Sequence, residues 1–152
     1  SKFDQWLLGN SEALTADEVR GYELFKANNC ATCHVGANLG GESYELMGLR
    51  QHYFEARGTE LTEEDNGRFK QTQDERDRHR FKVPGLRNIE LTWPYYHDGT
   101  RATMEEAVRD MALYQCDVEL DDAEVASIVA FLRTLTGEYQ GQKLTSDNKQ
   151  EN

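Results

Sequence analysis

Apolar residues at Val125, Ile128, Val129 and Leu132 recur at the spacing that lays one face of a helix against a core. Asp121 or Asp122 caps that helix, which ends near Thr136-Gly137. A capping box, Thr15-Ala-Asp-Glu18, opens an earlier helix running to about Asn28, with Val19, Tyr22 and Leu24-Phe25 on or near its buried side. A second box, Thr103-Met-Glu-Glu106, starts a helix to about Tyr114, where Ala107, Val108, Met111 and Ala112 share an apolar face. Elsewhere the pattern breaks down. Residues 1–14 read as a lead-in anchored by Trp6, Leu7 and Leu8, and Asn38 to Gly41 as a turn or close backbone approach. Residues 50–82 are dense in charge and read as short helical turns and exposed loop. The stretch from Val83 to Gly99 holds both prolines and reads as irregular, packed chain. The prediction is an all-α domain over 15–138, with three main helices, long connections and no internal repeat. A polar, disordered tail follows over 139–152.

A chain of 152 residues fits one domain. Its net charge of −11 argues against nucleic acid and favours solubility and the steering of basic partners. The longest apolar run, Val125 to Leu132, is too short to span a bilayer. No signal peptide stands at Ser1, so an exported form is expected to have lost its leader already.

Chemistry concentrates in Cys30-Ala-Thr-Cys-His34. In a C-x-x-C-H run the two thiols form thioethers to the haem vinyls, and the histidine lies under the iron. Zinc needs four ligands, and there is no second pair at finger spacing. A thioredoxin-like site wants a βαβ context, which is absent. The spacing therefore predicts one covalent haem c on Cys30 and Cys33, with His34 on iron. Cys116 is left over. Its ordinary role is a small buried apolar residue, and its alternative role is a reactive or dimer-forming thiol.

The other iron face separates carrier from catalyst. Methionine there closes the site and raises the potential, whereas an open face can activate peroxide. The candidates are Met47, Met104, Met111, His52, His79 and His97. A methionine on an apolar helix face is ordinarily core filler. The His97-Asp98-Gly99 run more often holds its own turn by hydrogen bonds. Lys82, Arg87 and Arg101 are candidate partners for the haem propionates, because cations beside carboxylates offset desolvation.

Further segments extend the pattern: Arg20-Gly-Tyr-Glu-Leu-Phe25, Asn38-Leu-Gly-Gly41, Asp77-Arg-His79, Phe81-Lys-Val-Pro-Gly-Leu-Arg-Asn88, Leu91-Thr-Trp-Pro-Tyr-Tyr-His-Asp-Gly99, Met104-Glu-Glu-Ala-Val108 and Val129-Ala-Phe-Leu132 with Leu135-Thr-Gly137. Together with the haem motif they resemble the C-terminal half of bacterial dihaem cytochrome c peroxidases, from about residue 3 to residue 137. The resemblance implies a class I cytochrome c-like fold and a high-potential, electron-accepting haem. It places Met111, in the helix after the His-Asp-Gly turn, on iron opposite His34. It implies a calcium ion at a domain interface, with backbone carbonyls of Thr92 and Pro94 as ligands. The family's asparagine donor to that ion is not in this chain.

The family's peroxide-reacting haem sits in an N-terminal domain that this sequence lacks. The expected function is therefore electron transfer from a small donor, a cytochrome c or cupredoxin, to a peroxidatic haem domain, in the bacterial periplasm. The alternative is a single-haem peroxidase acting through a labile or absent sixth ligand, although no Glu or His is evidently placed as its general base. A homodimer is a further expectation, and haem sensing or storage has no distinctive support.

Overall fold

The computed structural model describes residues 1–145. Six α-helices run in the order α1 (Lys2–Leu7), α2 (Ala16–Ala27), α3 (Tyr53–Arg57), α4 (Phe69–Thr72), α5 (Met104–Asp110) and α6 (Asp122–Arg133). Two short antiparallel pairs accompany them. Strand β1 (Tyr44–Leu46) pairs with β2 (Arg80–Lys82), with Glu45 opposite Phe81. Strands β3 (Glu138–Tyr139) and β4 (Gln142–Lys143) form a hairpin.

The two capping boxes read from the sequence form, and Asp121, one of the two caps expected for α6, makes a third. Thr15, Thr103 and Asp121 each accept the N–H of the residue three on, and Glu18, Glu106 and Glu124 reach back. All four apolar positions read for α6 are buried, and Phe131 and Leu135 join them with no exposed surface. Each such side chain contributes roughly 1.5–3 kcal/mol when fully buried. Helices α2 and α6 cross at Gly21. A Cβ there would lie 1.9 Å from the Ser127 carbonyl oxygen and 2.9 Å from the Phe131 Cβ, so only glycine lets the backbones meet. Ser127 Oγ then donates to Asp17 across the crossing at 2.6 Å.

Three expectations need correcting. The lead-in is anchored by Phe3, not by Leu7 and Leu8. Phe3 is buried against Trp6, Tyr22 and Phe131, whereas Leu8 is 88% exposed. Leu7 is the last residue of α1 and Leu8 its C-cap, so both lie at the exposed end where the chain turns away. The helix expected to run to Tyr114 keeps α-geometry only to Asp110 and continues as a π-helix over Met111–Gln115. The stretch expected to begin a disordered tail at 139 starts inside the β3–β4 hairpin, because Gln140 and Gly141 both take the positive φ of a tight hairpin turn. The remainder of that tail, residues 146–152, lies outside the described residues.

Candidate functional site

Helix α2 ends at Ala27 with Asn28 as its C-cap, and Asn29 turns the chain through the left-handed region at φ 62°. One 3-10 turn, Cys30–Thr32, follows, and the Cys30 carbonyl accepts N–H groups from both Cys33 and His34. This compact turn holds both free thiols half-buried. The His34 ring packs beside Phe25, and its Nδ1–H donates to the Leu39 carbonyl at 3.1 Å. That bond fixes the tautomer and leaves Nε2 with its lone pair. Burial lowers the pKa of His34, against the opposing pull of the Leu39 and Pro84 carbonyls, which favours the neutral imidazole that a metal requires.

The glycine turn supports the histidine. Gly40 has φ 132°, and a Cβ there would sit 2.1 Å from the Pro84 carbonyl oxygen and 3.2 Å from His34 Nδ1. Gly41 N–H binds the Val83 carbonyl and Leu86 N–H binds the Asn38 carbonyl, so the loop lies flat on residues 83–86.

The motif also meets the far end of the α5 segment. The Cys30 and Cys116 thiols lie close enough to interact, which together with burial pushes the Cys30 thiol up and, against burial, pulls the Cys116 thiol down. Burial raises Cys33 as well, with the nearby Glu45 and Cys116 adding. Strand β1, the end of the π-helix and the haem motif are thus neighbours.

Of the candidate sixth ligands, Met104 is 6% exposed and part of the central core, and Met47 is 9% exposed at the end of β1. Met111 is only half-buried, at the junction of α5 with the π-helix. His52 is exposed at the start of α3. His79 donates Nδ1–H to the Asp65 carbonyl at 2.6 Å, and its ring packs on Phe54. His97 stacks on Phe81 and donates to Asp65 at 2.8 Å.

Asp65, which the sequence reading passed over, is the hub of this region. It is 1% exposed and takes two bonds from the Arg57 guanidinium, at 2.8 and 2.7 Å, and one from the Thr62 N–H. The Arg57 bonds hold its carboxyl well below the usual range despite burial, with Thr62 and His97 contributing. Arg57 also reaches Asp98 at 3.0 Å. Ligand atoms of Asp65, His97 and Asp98 lie within 4.8 Å of one another, but Arg57 binds both carboxylates, so the group is an ion-pair network that locks the His97-Asp98-Gly99 turn. No spacing signal could have revealed Asp65, because it lies in a run of charges that reads as surface.

The candidate propionate partners differ. Arg87 binds Asp4 at 2.7 Å and the Ala37 carbonyl at 3.0 Å, tying α1 to the glycine turn. Arg101 binds Asp110 at 2.6 Å. Lys82 is exposed at the end of β2 and has no carboxylate partner among the described residues. Thr92 Oγ1 donates to the Ile89 carbonyl at 3.0 Å, and Pro94 follows a cis peptide bond. Two residues before Thr92, the Glu90 Oε2 is buried without a hydrogen-bond partner.

A helical core closed by the α2–α6 crossing, with a half-buried C-x-x-C-H turn and a histidine fixed through Nδ1, defines a cytochrome c domain. The family model described as Cytochrome c matches residues 18–136, and the chain belongs to that family. It is 49% identical over 144 residues to the cytochrome c551 peroxidase of Nitrosomonas europaea, covering 95% of this chain and 41% of the relative. It is 50% identical over 139 residues to cytochrome c peroxidase Ccp of Escherichia coli K12, covering 91% of this chain and 29% of the relative. The crystal structure of a MauG-like protein associated with microbial copper homeostasis matches with a TM-score of 0.73 at 28% identity, over 91% of this chain and 48% of that one. The chain spans less than half the length of these relatives. No helix among the described residues is long and apolar enough to cross a membrane.

Proposed function

We propose that this chain is the electron-accepting haem domain of a dihaem cytochrome c peroxidase. It takes electrons from a small donor, a cytochrome c or cupredoxin, and passes them to a peroxidatic haem domain outside the sequence. One haem c, bound through Cys30 and Cys33, supplies the one-electron iron couple. His34 offers Nε2 to the iron, and the Leu39 carbonyl keeps that nitrogen unprotonated. Met111 would supply the iron's second protein ligand through its thioether. A thioether there raises the potential and denies peroxide a place on the metal. Lys82 is the readiest propionate partner; Arg87 and Arg101 would share theirs with Asp4 and Asp110.

The observation that carries this reading is the contrast among the methionines. Two are buried, whereas Met111 stays half-buried on a segment that ends beside Cys116, whose thiol interacts with that of Cys30.

The carbonyl oxygens of Thr92 and Pro94 suit calcium, and Glu90 Oε2, buried without a hydrogen-bond partner among the described residues, is a further oxygen donor nearby in sequence. Covalent haem chemistry and the named relatives fit export to the bacterial periplasm. The net charge of −11 steers a basic donor to the surface. A homodimer belongs to the same reading.

The test is steady-state peroxide turnover by the purified single-haem holoprotein with a reducing donor. The expected rate is near background. Sustained turnover would replace this reading with that of a single-haem peroxidase.

A further inference from the structure

We propose that Gln115 is a positioning residue for the sixth ligand, acting through the π-helix that carries Met111. This rests on the Met111 reading above. The Gln115 amide grips a distant stretch of main chain. Its Oε1 accepts the N–H groups of Gly48 at 2.9 Å and Leu49 at 2.8 Å, and its Nε2 donates to the Leu46 carbonyl at 3.0 Å. Alongside, the Tyr114 carbonyl accepts Arg50 N–H at 2.9 Å, and Gln51 Nε2 donates to Asp117 at 2.5 Å. One side chain and its neighbours therefore bolt residues 46–51 to residues 114–117.

The gripped turn is preshaped for this. Gly48 has φ 84°, and a Cβ on it would lie 2.7 Å from the Gln51 carbonyl oxygen, so the chain folds back tightly and presents two successive N–H groups to one acceptor. The turn leads directly from β1, which β2 holds in register.

Both sides of the bolt border the haem motif. Cys116 follows Gln115 directly and its side chain interacts with that of Cys30, while Glu45, next to the gripped Leu46, interacts with Cys33. A π-helical turn is wider and less regular than an α-turn, and such segments recur at functional sites. Met111 begins this one and Gln115 ends it, so an anchor at Gln115 fixes the register in which Met111 is presented. The anchor is polar and reads only main chain. An apolar residue of similar size would fill the space and release the grip.

The iron–thioether bond is weak enough to be displaced at high pH by hydroxide or an amine. The displacement midpoint therefore measures how firmly the chain holds methionine in place. The experiment follows the far-red methionine–iron band of the ferric holoprotein against pH in wild type, Gln115→Leu and Gln115→Glu, with melting recorded in parallel. Gln115→Leu is expected to lower the midpoint by about one pH unit, a tenfold loss in ligand retention. Gln115→Glu keeps the acceptor for Gly48 and Leu49 but loses the donor to Leu46, so its midpoint falls between the two. A wild-type midpoint in Gln115→Leu overturns the proposal whatever its melting temperature. Should that variant not fold, Gln115→Glu decides: a lowered midpoint supports the proposal and an unchanged one rejects it. A wild-type protein without the band would instead reject Met111 as the ligand, which separates the two failures.

Discussion

Met111→Ala should abolish the far-red methionine–iron band of the ferric holoprotein and lower its reduction potential, while haem attachment and helix content survive. The attachment residues lie on a separate turn, Cys30 to His34, held by its own main-chain bonds and by Leu39. Met111 is half-buried, so its removal takes little from the core. Losing the thioether withdraws the ligand that favours reduced iron. Met104→Ala is the control. Met104 is 6% exposed within the core, so its truncation should cost about 2–5 kcal/mol of stability and leave the band in place. Optical spectra and redox titration of the two variants check both halves. A band that survives Met111→Ala would hand the ligand role to another residue.

Asp65→Asn should strongly destabilise the fold. The carboxylate is 1% exposed and joins Arg57, Thr62 and His97, while Arg57 links it to Asp98. Asparagine keeps the shape but leaves the guanidinium facing one fewer buried charge. Breaking a buried pair in this way costs about 3–5 kcal/mol. The pH dependence has a definite sign. Asp65 is depressed in the folded protein, so between its folded pKa and the ordinary value near ~4 the unfolded chain binds more protons. The stabilisation is fully present above that ordinary value and drains as pH falls through the folded one. Denaturant unfolding of wild type and variant should therefore differ most at neutral pH and converge in acid. Equal midpoints at pH 7 would show that the network orders the His97 turn without stabilising the fold.

The parts of this structure that sequence made legible are those with a local cause. A threonine three residues before a glutamate marked the starts of α2 and α5, and a capping aspartate that of α6, each to within a residue. Apolar spacing then identified the buried face of α6. Strands β1 and β2 went unseen because three residues each give too little alternation to stand out, and their partners lie 34 to 38 positions apart. The π-helix was invisible for a related reason. The apolar face of α5 continues into it, and periodicity over a single turn does not separate the two geometries. In the site, Cys30, Cys33 and His34 announce themselves by spacing. What surrounds them does not. Gly40, Asp65 and Gln115 act through main-chain groups and side chains far away in sequence, and each reads locally as turn, surface charge or helix end.

The central claim is that His34 and Met111 close the iron between them. Proton NMR of the reduced holoprotein, with its methionine methyls assigned, tests this most directly. The account predicts one three-proton resonance driven far upfield by the haem ring current and belonging to Met111, with Met47 and Met104 in the ordinary methyl region. No such resonance, or its assignment to Met47 or Met104, would contradict it.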